Sequence, residues 1–137
     1  MEANAVNVTS GFYQNFLKKA EECSVGMNAA FVGGDWNMFV IAAIHCGISA
    51  ADAITVKFLG VRNSGSRHEA VIGLLSKLNL PEIGKKNQRL SNLLRIKSTA
   101  EYEELLMSKA DASDALRDFM GGLRNCLGSE LQYEIDS

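Results

Sequence analysis

The residues that usually signal reactive, metal-bound or membrane-inserted chains are scarce in this 137-residue sequence, which has one proline, two histidines, three cysteines and one tryptophan. Cys23, Cys46 and Cys126 are odd in number and lack C-x-x-C spacing. They fall within apolar helical patterns and read as reduced core thiols rather than a disulfide framework. Two histidines and scattered cysteines give no ligand pair at helical spacing, so neither a metal nor any other cofactor is expected. Gly33-Gly34 and Gly121-Gly122 follow no strand, and G-x-x-x-x-G-K-[ST] does not occur, which argues against a phosphate loop. No signature supports a paired nucleophile and base. No apolar run approaching 18 residues and no basic leader before an apolar segment is expected. The reading is a cytoplasmic chain without a membrane partner.

What is present is apolar content of 47%, enough for one core, and an uneven charge hidden beneath a net −2. Residues 1 to 60 carry three basic and five acidic side chains, residues 61 to 97 eight and two, and residues 98 to 137 three and nine. The basic middle suits an anion-binding face, and equally suits pairing with the acidic tail within one chain or across a dimer.

The apolar spacing is three and four throughout. Phe12, Phe16, Ala20, Cys23, Met27 and Phe31 form one stripe of a first helix, with Ser10 as its cap and Gly33-Gly34 as its stop. Asp35 is placed to cap a second helix, Trp36 to Leu59, which is apolar nearly all round and belongs at the centre of a bundle. Gly60 ends it, and residues 61 to 67 lack periodicity and read as a polar loop. A third helix is predicted over residues 68 to 78, and a fourth has Pro81 in its first turn and fades near Lys97. Ser108 or Asp111 can cap a last helix that turns Ala112, Ala115, Leu116, Phe119, Leu123 and Cys126 or Leu127 inward and stops at Gly128, ahead of a polar tail expected to fray. No strand pattern is evident. The expected fold is all-α, a single-domain five-helix up-and-down bundle led by two long antiparallel helices, ordered over about residues 10 to 128.

Three stretches in combination resemble the HEPN superfamily: residues 42 to 53 (AAIHCGISAADA), the loop and helix of residues 60 to 75, and residues 93 to 102 (LLRIKSTAEY), completed by the helix from about Ala112 to Leu127. The resemblance implies a small helical domain that either cleaves RNA, as toxin-like members do, or serves as a helical partner of a nucleotidyltransferase. The cleaving members carry an Arg followed four to six residues later by a His, a cation beside a group that titrates near neutrality. Here Arg95 stands in the corresponding place with no His after it, and the aromatic residue downstream is Tyr102, a poor base at pH 7. Arg62 and His68 have the right spacing but flank the loop before the third helix, where His68 reads as a helix start. His45, inside the apolar second helix, reads as a hydrogen-bonded core histidine, and Glu101, Glu103 and Glu104 as a solvated loop or helix start.

The sequence therefore points to a non-catalytic HEPN-type module that forms a homodimer and binds a nucleotide, an RNA phosphate or a nucleotidyltransferase-type partner. Arg62, Arg67, His68, Arg95, Lys97 and Tyr102 are its anion-binding candidates, provided that the loop and the end of the fourth helix meet at one end of the bundle. The competing account lets Lys85, Lys86 and Arg89 solvate an exposed face while Arg95 pairs with a tail carboxylate. Two other readings stand beside it: a toxin-like ribonuclease of the same fold, with acid and base drawn from Arg95, Tyr102, Arg62 and His68, and a purely structural interaction domain.

Overall fold

The computed structural model describes residues 5–64 and 70–121. Its order is β1 (Ala5–Asn7), a 3-10 turn (Ser10–Phe12), α1 (Tyr13–Gly33), α2 (Trp36–Leu59), β2 (Val61–Asn63), α3 (Ala70–Leu75), α4 (Ile83–Arg95), α5 (Lys97–Tyr102) and α6 (Lys109–Met120). The protein is an all-α bundle, and the five expected helices are present. The fourth breaks at Ile96 and resumes as the short α5.

α1 and α2 form an antiparallel hairpin. Gly34 turns the chain at φ 71°, a conformation that favours glycine, and the amides of Gly34 and Asp35 close the end of α1 on Phe31 and Ala30. Phe31 packs edge-on against Trp36 and tilted against Phe39, each at 5.6 Å, which anchors the turn. Asp35 stands at the N-cap of α2, but its side chain makes no capping bond.

The buried stripe of α1 is Leu17, Ala20, Ser24, Met27 and Ala30, about one residue round from the predicted one. Phe12 is exposed, and Phe16, Cys23 and Phe31 are half-buried. The small side chains of α2 explain the rotation. Ala43, Cys46 and Ala50 let α1 settle close through its own alanines, near enough for the Cys46 thiol to donate to the Ala20 carbonyl at 3.2 Å. The bulkier phenylalanines are left at the edges of the seam.

α2 lies at the centre, touching α1, α3, α4, α5, α6 and β2. Phe39, Val40, Ile44, Ile54 and Val56 are wholly enclosed. Contrary to the sequence expectation, this helix is long and apolar enough to cross a membrane by length and composition, but 72% of the qualifying stretch is buried within the fold. α4 packs Leu90 and Leu93 against Gly47 of α2, where both side chains come within 3.3 Å of the position a Cβ would occupy.

Two expectations about local structure are corrected. A short sheet exists: β1 pairs antiparallel with β2, Val6 opposite Arg62. The start of the expected polar loop is therefore a strand, recruited because the chain's beginning lies beside the end of α2, where the Val8 amide also donates to Gly60 at 2.8 Å. Three residues a side are too few to show an alternating pattern. Pro81, in turn, lies before α4 rather than in its first turn, since Glu82 takes a left-handed φ of 57° and the helix starts at Ile83.

Ser10 does not cap α1. Its hydroxyl donates to the Lys57 carbonyl, tying the turn before α1 to the end of α2. At α6 both suggested caps act together: the Asp111 amide donates to the Ser108 hydroxyl, and the Ser108 amide donates to the Asp111 carboxylate. The expectations for Arg67, His68, Leu123, Cys126, Leu127, Gly128 and the tail lie outside the described residues.

Candidate functional site

α4, α5 and α6 with the connecting residues 103–108 enclose a groove of about 620 Å³. Arg95 projects from the end of α4 at helical spacing from Asn92 and Thr99, and all three line the groove. Arg89 lies a turn and a half back along α4, and Asp111, Asp114, Arg117 and Asp118 come from α6. Leu105 and Leu106, on the connecting segment, form the apolar rim and are 62% and 82% exposed.

Among the described residues three arginines face three aspartates here, and the pairing is uneven. Arg89 bonds Asp118 at 3.1 Å, and Asn92 donates to the same oxygen at 3.2 Å. Arg117 bonds Asp114 at 2.7 Å in an exposed pair, and Asp111 is engaged in the α6 cap. Arg95 donates to the Asn92 side-chain carbonyl at 2.6 Å and has no carboxylate partner among the described residues. Its exposed guanidinium keeps donors to spare.

On another flank of α5 the structure assembles a second polar cluster. Glu101 is nearly enclosed and uses both oxygens: His45 Nε2 donates to one at 2.6 Å, and Lys97 Nζ to the other at 2.7 Å. Burial pushes the Glu101 carboxyl towards the neutral form, but the Lys97 and His45 bonds outweigh it and hold its pKa below the ordinary value. The bond to Glu101 raises the pKa of Lys97 in return. Glu101 is thus an internal anchor rather than a solvated residue, and His45 is bonded as expected but half-exposed rather than in the core.

Of the sequence candidates, Lys97 and Tyr102 come together, with the ammonium 5.4 Å from the ring centroid. Lys97 is committed to Glu101, and Tyr102 stands out in solvent. Arg95 is on the neighbouring groove face. Arg62 is on β2, past the far end of α2. Leu59 is 14 positions beyond His45, so Arg62 lies roughly 20 Å along the helix axis from the Glu101 cluster. The structure does not bring it to Arg95. Arg62 instead stands near Asp52, whose pKa burial raises to about 6 while Arg62 and Lys19 oppose the rise.

Sequence reasoning did not select Asn92, Thr99, Leu105, Leu106 or Asn37 for the site. Asn92 and Arg95, three apart on α4, and Thr99, on α5 just beyond the break, could have been read as a set, and an apolar Leu-Leu pair in an aperiodic segment was a second signal. Arg89, read as solvating an exposed face, is paired across the groove. Among the described residues no group of three or more His, Cys, Asp or Glu side chains could hold a metal ion. No family model, curated protein or solved structure matches the chain.

Proposed function

We propose that this protein is a non-catalytic binding module whose groove between α4 and α6 receives an anionic group, a phosphate first of all, at Arg95. The observation that carries the reading is the asymmetry among the groove's charges: Arg89 and Arg117 have aspartate partners, and Arg95, among the described residues, has Asn92 alone. A guanidinium oriented by a neutral amide retains its attraction for an incoming oxyanion, whereas one already paired with a carboxylate must give that pair up. Binding rather than reaction is favoured because, among the described residues, no imidazole, thiol or hydroxyl-base pair lines the groove. His45, the described histidine, is tied to Glu101. This agrees with the HEPN-like sequence pattern in its form without the Arg-to-His spacing, a kinship that remains part of the proposal, as do the nucleotide or RNA ligand and the homodimer.

Thermal shift of the full chain against a nucleotide panel tests the reading, since a ligand that prefers the folded state raises the midpoint. At least one phosphate-bearing compound is expected to raise it in wild type and not in Arg95→Ala. Cleavage of labelled RNA by wild type, lost in Arg95→Ala, would instead favour the ribonuclease. A second reading, docking of a partner protein, draws on the exposure of Leu105 and Leu106, because adjacent bare leucines beside arginines suit an interface as well as a ligand rim.

A further inference from the structure

Two leucines on an exposed connection would ordinarily collapse onto the nearest apolar surface. Here the connection is framed. Asn37, in the first turn of α2, brackets it: Oδ1 accepts from the Met107 amide near its end at 2.6 Å, and Nδ2 donates to the Ala100 carbonyl in α5, ahead of its start, at 3.5 Å. The Glu101 anchor to His45 and Lys97 fixes the entering side. The Ser108–Asp111 cap fixes the leaving side, and Met107 packs on the core. Between these points Leu105 and Leu106 are held out in water, lining the same groove as Arg95. Apolar side chains already ordered in an exposed position lose little further freedom when something covers them.

We propose that the groove binds an amphiphilic anion carrying one anionic group, which meets Arg95, and an apolar body, which lies on Leu105 and Leu106, and that Asn37 is the positioning residue that presents those leucines. This rests on the reading of Arg95 as an anion receptor. A single anionic group suits the groove, because Arg95 is the lining arginine without a carboxylate partner among the described residues, and a polyphosphate would also meet Asp111, Asp114 and Asp118. The volume suits a small molecule. A phosphate monoester with an alkyl chain and a nucleoside monophosphate share this chemistry.

The experiment is a titration of 15N-labelled full-length protein with inorganic phosphate, hexyl phosphate and AMP, followed by NMR at the Arg95 side chain and the Leu105 and Met107 amides. Either ester is expected to bind at least tenfold more tightly than inorganic phosphate. AMP ahead of hexyl phosphate assigns the apolar body to a nucleobase, and the reverse order to an alkyl chain. Leu105→Ser with Leu106→Ser, both at exposed positions, should reduce the esters to the affinity of inorganic phosphate, and Arg95→Ala should abolish all three. Asn37→Ala should weaken the esters at least threefold and speed hydrogen exchange of the Met107 amide, while Asn37→Asp, which keeps the oxygen acceptor, restores both. Equal affinity for all three anions, with responses that depend on Arg95, would overturn the amphiphile and leave the anion reading standing. Unchanged ester binding in Asn37→Ala would overturn the role of Asn37, and no response to any probe would overturn both proposals.

Discussion

The two long helices are close in length, 21 and 24 residues, and differ in almost everything else. α2 is surrounded: α1, α3, α4, α5 and α6 each lie against it, and twelve of its residues are buried. α1 packs mainly against α2 and the turn before it, burying five residues, and turns Val25 and Val32 out at 69% and 77% exposure. The difference teaches that apolar content alone does not decide burial. α2 is enclosed because small residues spaced around its whole circumference let five helices approach it, whereas α1 offers such a surface on one side only.

The largest expected effect lies in the surrounded helix. Phe39→Ala should cost about 3–5 kcal/mol in urea denaturation, because Phe39 is wholly enclosed beside Phe31 and neighbouring helices leave little room for collapse. A cost below about 1 kcal/mol would mean that the centre of the bundle is loosely packed.

Glu101→Gln tests whether the polar side of α2 contributes as the apolar side does. Removing the carboxylate leaves Lys97 and His45 without their anion, and a loss of about 2 kcal/mol at pH 7 is expected. Since the folded chain holds the Glu101 pKa below its unfolded value, its contribution is present above that unfolded value and fades as the pH falls through the folded one. The gap between wild type and variant should therefore shrink in acid, and a gap independent of pH would contradict the bonds described.

At the α1–α2 seam the sign reverses. Asp52 has its pKa raised to about 6 by burial, so the folded chain holds that proton more tightly than the unfolded chain does, and stability falls as the pH rises from about 4 through 6. Asp52→Asn should match wild type near pH 4 and exceed it by about 1–2 kcal/mol above pH 6.5, read from denaturation midpoints across pH. Destabilisation at neutral pH would show that Lys19 and Arg62 compensate the buried charge fully.

The smallest effect belongs to the open helix. Val25→Ser and Val32→Ser should each change stability by less than about 0.5 kcal/mol. A larger loss, with a midpoint that depends on protein concentration, would mean that a second copy covers α1 in solution, as the expected homodimer requires, and would close the contrast between the two helices.

Much of the fold was legible because helix signals are local. Gly34 and Gly60, both left-handed, end the long helices where the sequence places their stops, and Ser108 caps α6. The site was less legible. Arg95 could be singled out by its type and place, but Glu101, read as solvated, is held by His45 56 residues earlier in the chain, and the groove rim depends on a contact between Asn37 and Met107 across 70 residues. No spacing rule spans such separations, and Lys97 resembled a free cation only because its partner one turn away could not be known to be oriented towards it.

By itself the sequence determined that this chain is helical, where its long helices stop and which of them must be central, since three-and-four spacing, glycine stops and an all-round apolar rod act within a few residues of each other. Tertiary structure alone decided which charges are spent and which remain available. Among the described residues Arg95 has no carboxylate partner, Lys97 is bonded to Glu101, and Arg62 is carried to the other end of α2, because the partner of a charge is set by which helix faces come together rather than by their order in the chain.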